Sequence, residues 1–323
     1  MKLKAAVYSI MKGGEDSAVA SVRLARYVAE TLKLPLHMGR SIEQEGRLDL
    51  MIIINGPMLY AMTGKAAPVF SRYALKTKHL VWVQNDYTIY APADKDHSKA
   101  VVGFRHDFAR RKEPLHYWTT CEKQVGRTEG SAYVNWNALT YEPDPPPGSS
   151  EVTQPRTALY YGAYRHARIE AFDRYFKGAS RKDVEVSSVA SGFRERYPHL
   201  IVHGAMTRKE FSDTLRHYGC GLYLEDKRSH REFHSPANRF YEMLGAGLPM
   251  LFDPAAKAMM ERAGYNITHY TVEDAAELKD LLRFPKKLRD IGRRQAKEWR
   301  RNYRRELSAQ VRSAWRNLMR EIG

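Results

Sequence analysis

Cysteine is almost absent. Cys121 and Cys220 are the two cysteines in 323 residues, too few for a disulfide framework or a cysteine-built zinc site. Both sit in apolar, strand-like contexts and read as buried thiols. Long apolar runs are missing as well: the longest aliphatic stretch is 50–54, far short of the roughly 20 residues that cross a bilayer. The N-terminus has a short apolar run at 5–10 that meets polar residues at 12–16, without the core or cleavage site of a signal peptide. The expected location is the cytoplasm, with no membrane partner. Neither GxGxxG nor GxxxxGK[ST] occurs, which argues against a dinucleotide-dependent dehydrogenase and a P-loop kinase. His230 and His234 stand four apart, but the glutamate between them is at the wrong offset for a metalloprotease helix and no third ligand follows. No metal centre is required.

Acidic residues are outnumbered. Fifty-three Lys and Arg face 37 Asp and Glu, a net charge of +16, which points to a polyanionic partner. Residues 283–320 hold fourteen basic residues against three acidic ones, a local +11. Such a run reads either as a solvated helix face or as a polyanion-binding surface. The composition, 43% hydrophobic and 28% charged, is that of a folded chain. Its length suits two domains of about 100–200 residues each.

Hydrophobic patterning organises the chain. Residues 4–10 form a short apolar strand that runs into Gly13 and Gly14, and 17–32 has helical spacing. Residues 48–55 (LDLMIIIN) are a continuous apolar run ended by Gly56-Pro57, the pattern of a parallel strand covered on both faces. A helix at 69–78 and a strand at 79–85 continue the alternation, followed by strand-like pieces at 117–121 and 132–136. This predicts a doubly wound α/β domain over 1–142. Residues 141–155 carry five of the fifteen prolines, so 143–156 reads as a linker. The pattern then restarts, with strands at 157–161, 184–189, 199–202, 219–224 and 250–252 and helices at 169–176, 208–217 and 236–244. A second Rossmann-like domain is expected over 157–284, then one long basic helical segment over 285–323.

Two Rossmann-like domains create a cleft at the carboxyl ends of both sheets, where a nucleotide binds. Ser235 is placed to N-cap a helix with Pro236 at its first position, leaving the positive helix end for an anion. Arg239 lies in the first turns of that helix and Glu242 three residues on, suited to phosphate and to a ribose diol respectively. The same spacing also describes a surface ion pair. Gly162, Arg165 and Arg168 occupy the strand-to-helix turn where a doubly wound domain binds phosphate. Asp86 ends the strand WVQND with a carboxylate that serves either as a general base or as the cap of the next turn.

Taken together these segments resemble the DNA β-glucosyltransferases of T-even bacteriophages, GT-B enzymes that move glucose from UDP-glucose to hydroxymethylated cytosine in duplex DNA. The resemblance runs in patches through most of the chain. WVQND-YTIYAP is similar to the strand that ends in the family's catalytic aspartate, which implies Asp86 as the base. YYGAYRHAR is similar to its phosphate-binding turn and implies Arg165 and Arg168 as diphosphate ligands, although they stand three apart where the family has four. The segment 203–207 (HGAMT) resembles the loop whose backbone reads uracil, implying contacts at Met206. Arg239-Phe-Tyr-Glu242 matches the Arg-x-x-Glu that binds diphosphate and ribose, and Leu224-Glu-Asp-Lys227 has its counterpart too, with Asp226 a further candidate beside Gly13 and Gly14. The fold implied is GT-B, with an acceptor domain first and a nucleotide-sugar domain second. The donor is UDP-glucose, with a divalent metal, Mg or Mn, optional. The partner is double-stranded DNA with modified pyrimidines, either 5-hydroxymethylcytosine or 5-hydroxymethyluracil. Arg105, Arg110, Arg111, Lys112, Arg300, Arg301, Arg304 and Arg305 are expected on its phosphates. Two other readings stay open at this point: a GT-B enzyme acting on a cell-envelope saccharide or lipid, and a non-catalytic nucleic-acid-binding protein.

Overall fold

The computed structural model describes residues 3–9, 19–39, 47–54, 76–84, 115–119, 125, 131–135, 156–188, 191–204, 206, 214–215, 217–225, 236–299 and 303–323. The chain divides into two compact units, Met1–Thr140 with Arg304–Gly323, and Tyr141–Tyr303.

Unit 1 is built on a six-stranded sheet. Its strands are β1 (Ala5–Ser9), β2 (Leu36–Met38), β3 (Leu50–Ile54), β4 (His79–Gln84), β5 (Leu115–Thr119) and β6 (Ser131–Tyr133), in the order β2-β1-β3-β4-β5-β6. Every pair is parallel. The continuous apolar run read in the sequence becomes β3, all five residues of which are buried, because helices cover both faces of such a sheet. Helix α1 (Val19–Leu32) carries the chain from β1 to β2. The helix expected at 69–78 lies almost wholly outside the described residues.

Unit 2 repeats the scheme with β7 (Ala158–Tyr161), β8 (Val184–Ser187), β9 (Ile201–His203), β10 (Cys220–Tyr223) and β11 (Met250–Phe252). The order is β11-β10-β7-β8-β9, again all parallel. The chain steps outward from β7 through β8 to β9, then returns to the other side of β7 with β10. Order therefore reverses between β7 and β10, and a doubly wound sheet binds its ligand at the carboxyl ends of such a pair. Among the described residues, helices α2 (Ile169–Phe176), α3 (Gly192–Arg196), α4 (Asn238–Ala246), α5 (Lys257–Arg262), α6 (Ala275–Leu282) and α7 (Pro285–Trp299) belong to the unit. The α6 start was legible yet passed over: Asp274 accepts from the Ala276 and Glu277 amides, each at 2.9 Å, an aspartate N-cap with a glutamate three residues on.

Of the basic helical segment expected from 285 onward, the described residues show two helices, one counted with each unit. In α7, Leu288, Ile291, Gln295 and Trp299 turn inward. The Trp299 ring lies 5.5 Å from that of Phe240 and 5.4 Å from that of Tyr270. In α8 (Tyr303–Ile322), Leu307, Val311, Ala314 and Leu318 join the core of unit 1 with Val7, Ile52 and Val81. The Gln310 Oε1 of α8 accepts from the Asn135 amide just past β6 at 2.8 Å. The apolar stripes on the two helices were destined for different cores, so the basic residues on their outer faces are divided as well.

Gln295 of α7 closes the edge of the second sheet. Its Oε1 accepts from the Met250 amide at 2.9 Å and its Nε2 donates to the Met250 carbonyl at 2.7 Å, with the side chain only 1% exposed. It therefore satisfies the Met250 backbone groups at the edge of β11, while further along the same edge Phe252 bridges Thr271. Gln295→Leu keeps the volume and orphans both groups, so the unit should lose about 2–3 kcal/mol on unfolding. The check is the denaturant midpoint, and a loss below about 0.5 kcal/mol would contradict this account.

Candidate functional site

Three segments of unit 2 converge on the β7/β10 switch point. The first is the turn after β7. Gly162 has φ +151°, a region open to glycine and strained for other residues. A Cβ there would also stand 2.8 Å from Nη1 of Arg239 and 3.2 Å from the Tyr160 hydroxyl, so the glycine lets a side chain from another element pass close by. Arg165 follows, exposed, ahead of the 3-10 turn His166–Arg168. Arg168 is buried at 5% exposure where α2 begins.

The second segment is the end of β10. Its apolar run reaches Leu224 and then the first charged residue, Glu225, which is 6% exposed. The third is the start of α4. Here Ser235 is not the N-cap: Ala237 is, with extended backbone at φ −63° and ψ 157°, so Pro236 stays outside the helix. The Ala237 amide donates instead to the Tyr223 hydroxyl of β10 at 2.9 Å, which pins the helix start to the sheet. No side-chain hydrogen bond caps α4 among the described residues, and Arg239 in its first turn is 8% exposed.

The three segments are joined by one carboxylate. Arg239 Nη2 lies 2.5 Å from Glu225 Oε1, and Arg168 Nη2 pairs with Glu225 Oε2. Both guanidiniums also turn to the buried Tyr160 hydroxyl, which accepts from Arg239 Nη1 at 2.9 Å and Arg168 Nη1 at 3.4 Å. Arg239 is flanked by two rings, with its Cζ 5.4 Å from the Tyr160 centroid and 5.9 Å from that of Tyr223, in cation–π range. Burial works against the charge on Arg239, but the Glu225 carboxylate and the Tyr160 and Tyr223 hydroxyls more than offset it. The guanidinium is held above its ordinary pKa. Burial and the nearby carboxylate likewise push the Tyr223 phenol up, so it stays neutral. The site thus sets the Arg239 cation beside Arg168 and Glu225 in a dry setting, where charge–charge interactions are stronger than in water.

Of the residues singled out in the sequence, Gly162, Arg168 and Arg239 come together here. Glu242 is half-buried one turn further along α4. Met206 is half-buried just past β9. The chain leading to it is held by the Ser187 hydroxyl donating to the Gly204 carbonyl at 2.9 Å and the Ser188 amide donating to the His203 carbonyl at 3.1 Å. Arg304 and Arg305 contribute backbone to α8. Asp86, Gly13, Gly14, Ser235, Asp226, Arg105, Arg110, Arg111, Lys112, Arg300 and Arg301 lie outside the described residues. Sequence reasoning missed Glu225 and Tyr160. It offered Asp226 as a weaker candidate, which lies outside the described residues, while the carboxylate seen at the two arginines is that of Glu225. The available signal was position: Glu225 is the first charged side chain after an apolar strand at the switch point.

Among the described residues no group of three or more His, Cys, Asp or Glu is placed to hold a metal ion. The chain carries an Asp-x-Asp pair, Asp94 and Asp96, outside those residues. An open groove of about 610 Å³ adjoins the turn after β7, lined by Tyr164, His166, Ser191, Gly192, Glu195 and Arg196.

No protein-family model matches the chain and no curated protein does. Solved structures match over nearly its whole length. One is a DNA-modifying β-glucosyltransferase studied with and without uridine diphosphoglucose, at 15% identity over 98% of this chain and 99% of that one, with a TM-score of 0.62. Another is the T4 phage enzyme with UDP and Mn2+, at 14% identity, the same coverage and a TM-score of 0.63. A third is an α-glucosyltransferase with UDP and a 13-mer DNA, at 9% identity over 96% and 95% of the two chains, with a TM-score of 0.59. Likeness at these identities speaks for architecture, and two parallel-sheet α/β units with the β11-β10-β7-β8-β9 order agree with it. The chain has the GT-B fold that these glucosyltransferases share.

Proposed function

We propose that this protein is a DNA glucosyltransferase that moves glucose from UDP-glucose to the hydroxymethyl group of a modified pyrimidine, 5-hydroxymethylcytosine or 5-hydroxymethyluracil. The observation that carries the reading is the convergence of Gly162, Arg168 and Arg239 at the switch point of unit 2. That is where a doubly wound sheet takes a nucleotide diphosphate. The fold is shared with enzymes studied with UDP-glucose and with DNA, and the net charge of +16 suits a polyanionic acceptor.

In this reading Arg165, Arg168 and Arg239, with the N-terminal turn of α4, hold the diphosphate and stabilise charge as UDP leaves. Glu242 accepts from the ribose hydroxyls and the backbone at Met206 reads the uracil. Asp86 takes the proton from the acceptor's primary hydroxyl as its oxygen attacks the anomeric carbon, the bond to the UDP oxygen breaks, and the configuration inverts. No step is routed through a metal; a divalent cation bound with the donor would add charge to the diphosphate. The acceptor base is flipped out of the duplex to expose its hydroxyl.

The test is transfer of labelled glucose from UDP-glucose to duplexes carrying unmodified cytosine, hydroxymethylcytosine or hydroxymethyluracil. Label in one modified duplex alone establishes the activity and its base; hydrolysis of UDP-glucose without labelled DNA moves the acceptor elsewhere, and no turnover overturns the reading. The basic residues of α7, α8 and 105–112 engage phosphates without reading sequence, so affinity for DNA should fall steeply with salt. With roughly four to six phosphates neutralised, the loss between 50 and 200 mM salt is about 10²–10³-fold. A flat response in fluorescence anisotropy would count against a phosphate-dominated interface.

A further inference from the structure

Both arginines assigned to the diphosphate are already occupied, and by the same group. The two oxygens of Glu225 divide between them, Oε1 to Arg239 and Oε2 to Arg168, while the other terminal nitrogen of each faces the Tyr160 hydroxyl. Each guanidinium plane is therefore held at two points, one on β7 and one at the end of β10. Two buried cations side by side repel each other, and removing the anion between them leaves charge in a dry site without compensation. The carboxylate is what allows the pair to stand together. A guanidinium carries five N–H donors, so anchorage through its two terminal nitrogens does not exhaust Arg239.

We propose that Glu225 is the positioning residue of the donor site: it fixes Arg168 and Arg239 in one arrangement before the donor arrives. The proposal rests on the donor-site reading above. Glu225 itself touches neither the sugar nor the reacting atoms; it acts through the arginines, sparing the donor the cost of gathering and orienting two flexible cations. The placement of each participant supports a role in orientation over one in bulk stability. Glu225 is the first polar side chain beyond β10, Arg168 closes the phosphate turn, and Arg239 opens the helix whose N-terminus faces the same switch point.

The experiment is a double-mutant cycle on the full chain, with Glu225→Gln, Arg239→Gln and the double variant. Each is assayed for kcat/KM with UDP-glucose below its own unfolding transition and titrated with UDP. Glu225→Gln keeps the size and one acceptor but removes the charge, and kcat/KM should fall about 10–100-fold, as for a misplacement of about 1 Å in binding groups. Because Glu225 acts through Arg239, the double variant should lose at least about fivefold less than the product of the single losses. A purely structural role would lower the unfolding temperature and leave the two effects on kcat/KM multiplicative, which would overturn the proposal. So would a Glu225→Gln enzyme with the wild-type kcat/KM. If Glu225→Gln does not fold, Glu225→Asp retains the charge while drawing it back by one methylene. A folded Asp variant reduced several-fold supports the assignment, and one at the wild-type value sinks it. Failure of the wild-type protein to bind UDP would reject the donor-site reading itself, a result separable from every variant outcome.

Discussion

Replacing Asp86 with asparagine should lower glucosyl transfer by about 10²–10⁴-fold while leaving UDP affinity unchanged, the range that a general base contributes. The amide keeps the shape and one acceptor of the carboxylate but cannot take the proton of the attacking hydroxyl. Single-turnover transfer to the preferred modified duplex, with a parallel UDP titration, separates chemistry from binding. Full transfer by the variant would remove Asp86 from the role. Loss of UDP binding together with transfer would show that it acts on the donor instead.

Arg239→Gln is the second large effect. A preorganised donor aimed at developing charge contributes about 10²–10³-fold to turnover, and Arg239 is the most buried candidate for that task on α4. Its charge does not titrate in any accessible range, because Glu225 with Tyr160 and Tyr223 more than compensates for burial. The loss in kcat/KM should therefore be the same at pH 6 and pH 9. Glutamine ends about where the Arg239 Nε stands, so it removes the terminal nitrogens that reach Tyr160 and Glu225 and pass close to Gly162. A variant within threefold of wild type would return Arg239 to a structural ion pair. A loss that varies steeply with pH would mean that another titrating group, rather than the fixed arginine charge, controls the donor.

Much of the scaffold was legible in the residues themselves. The apolar run at 48–55, the strand-to-glycine turn after Tyr161 and the eight-residue helix 169–176 each report how strongly a short segment is buried, and burial of a short segment is encoded locally as periodicity. Gly162, Arg168 and Arg239 could be picked out because a strand-to-helix turn and a helix start have local signatures. Other features have none. The helix cap moved from Ser235 to Ala237 because a tyrosine on another element, Tyr223, captured the Ala237 amide. The basic C-terminal run read as one helix because its charge is continuous, whereas the apolar stripes of α7 and α8 pack into separate cores.

By itself, then, the order of amino acids determined two α/β units with parallel sheets and the glycine turn after β7. Tertiary structure decided that β10 returns beside β7, and with it that Glu225 stands between Arg168 and Arg239. It also decided that Gln295 would close the edge of β11. The physical reason is the same in each case. Hydrophobic spacing fixes which face of an element is buried, but the partner of a buried charge or amide depends on which strands become neighbours, and strand order is a property of the whole sheet.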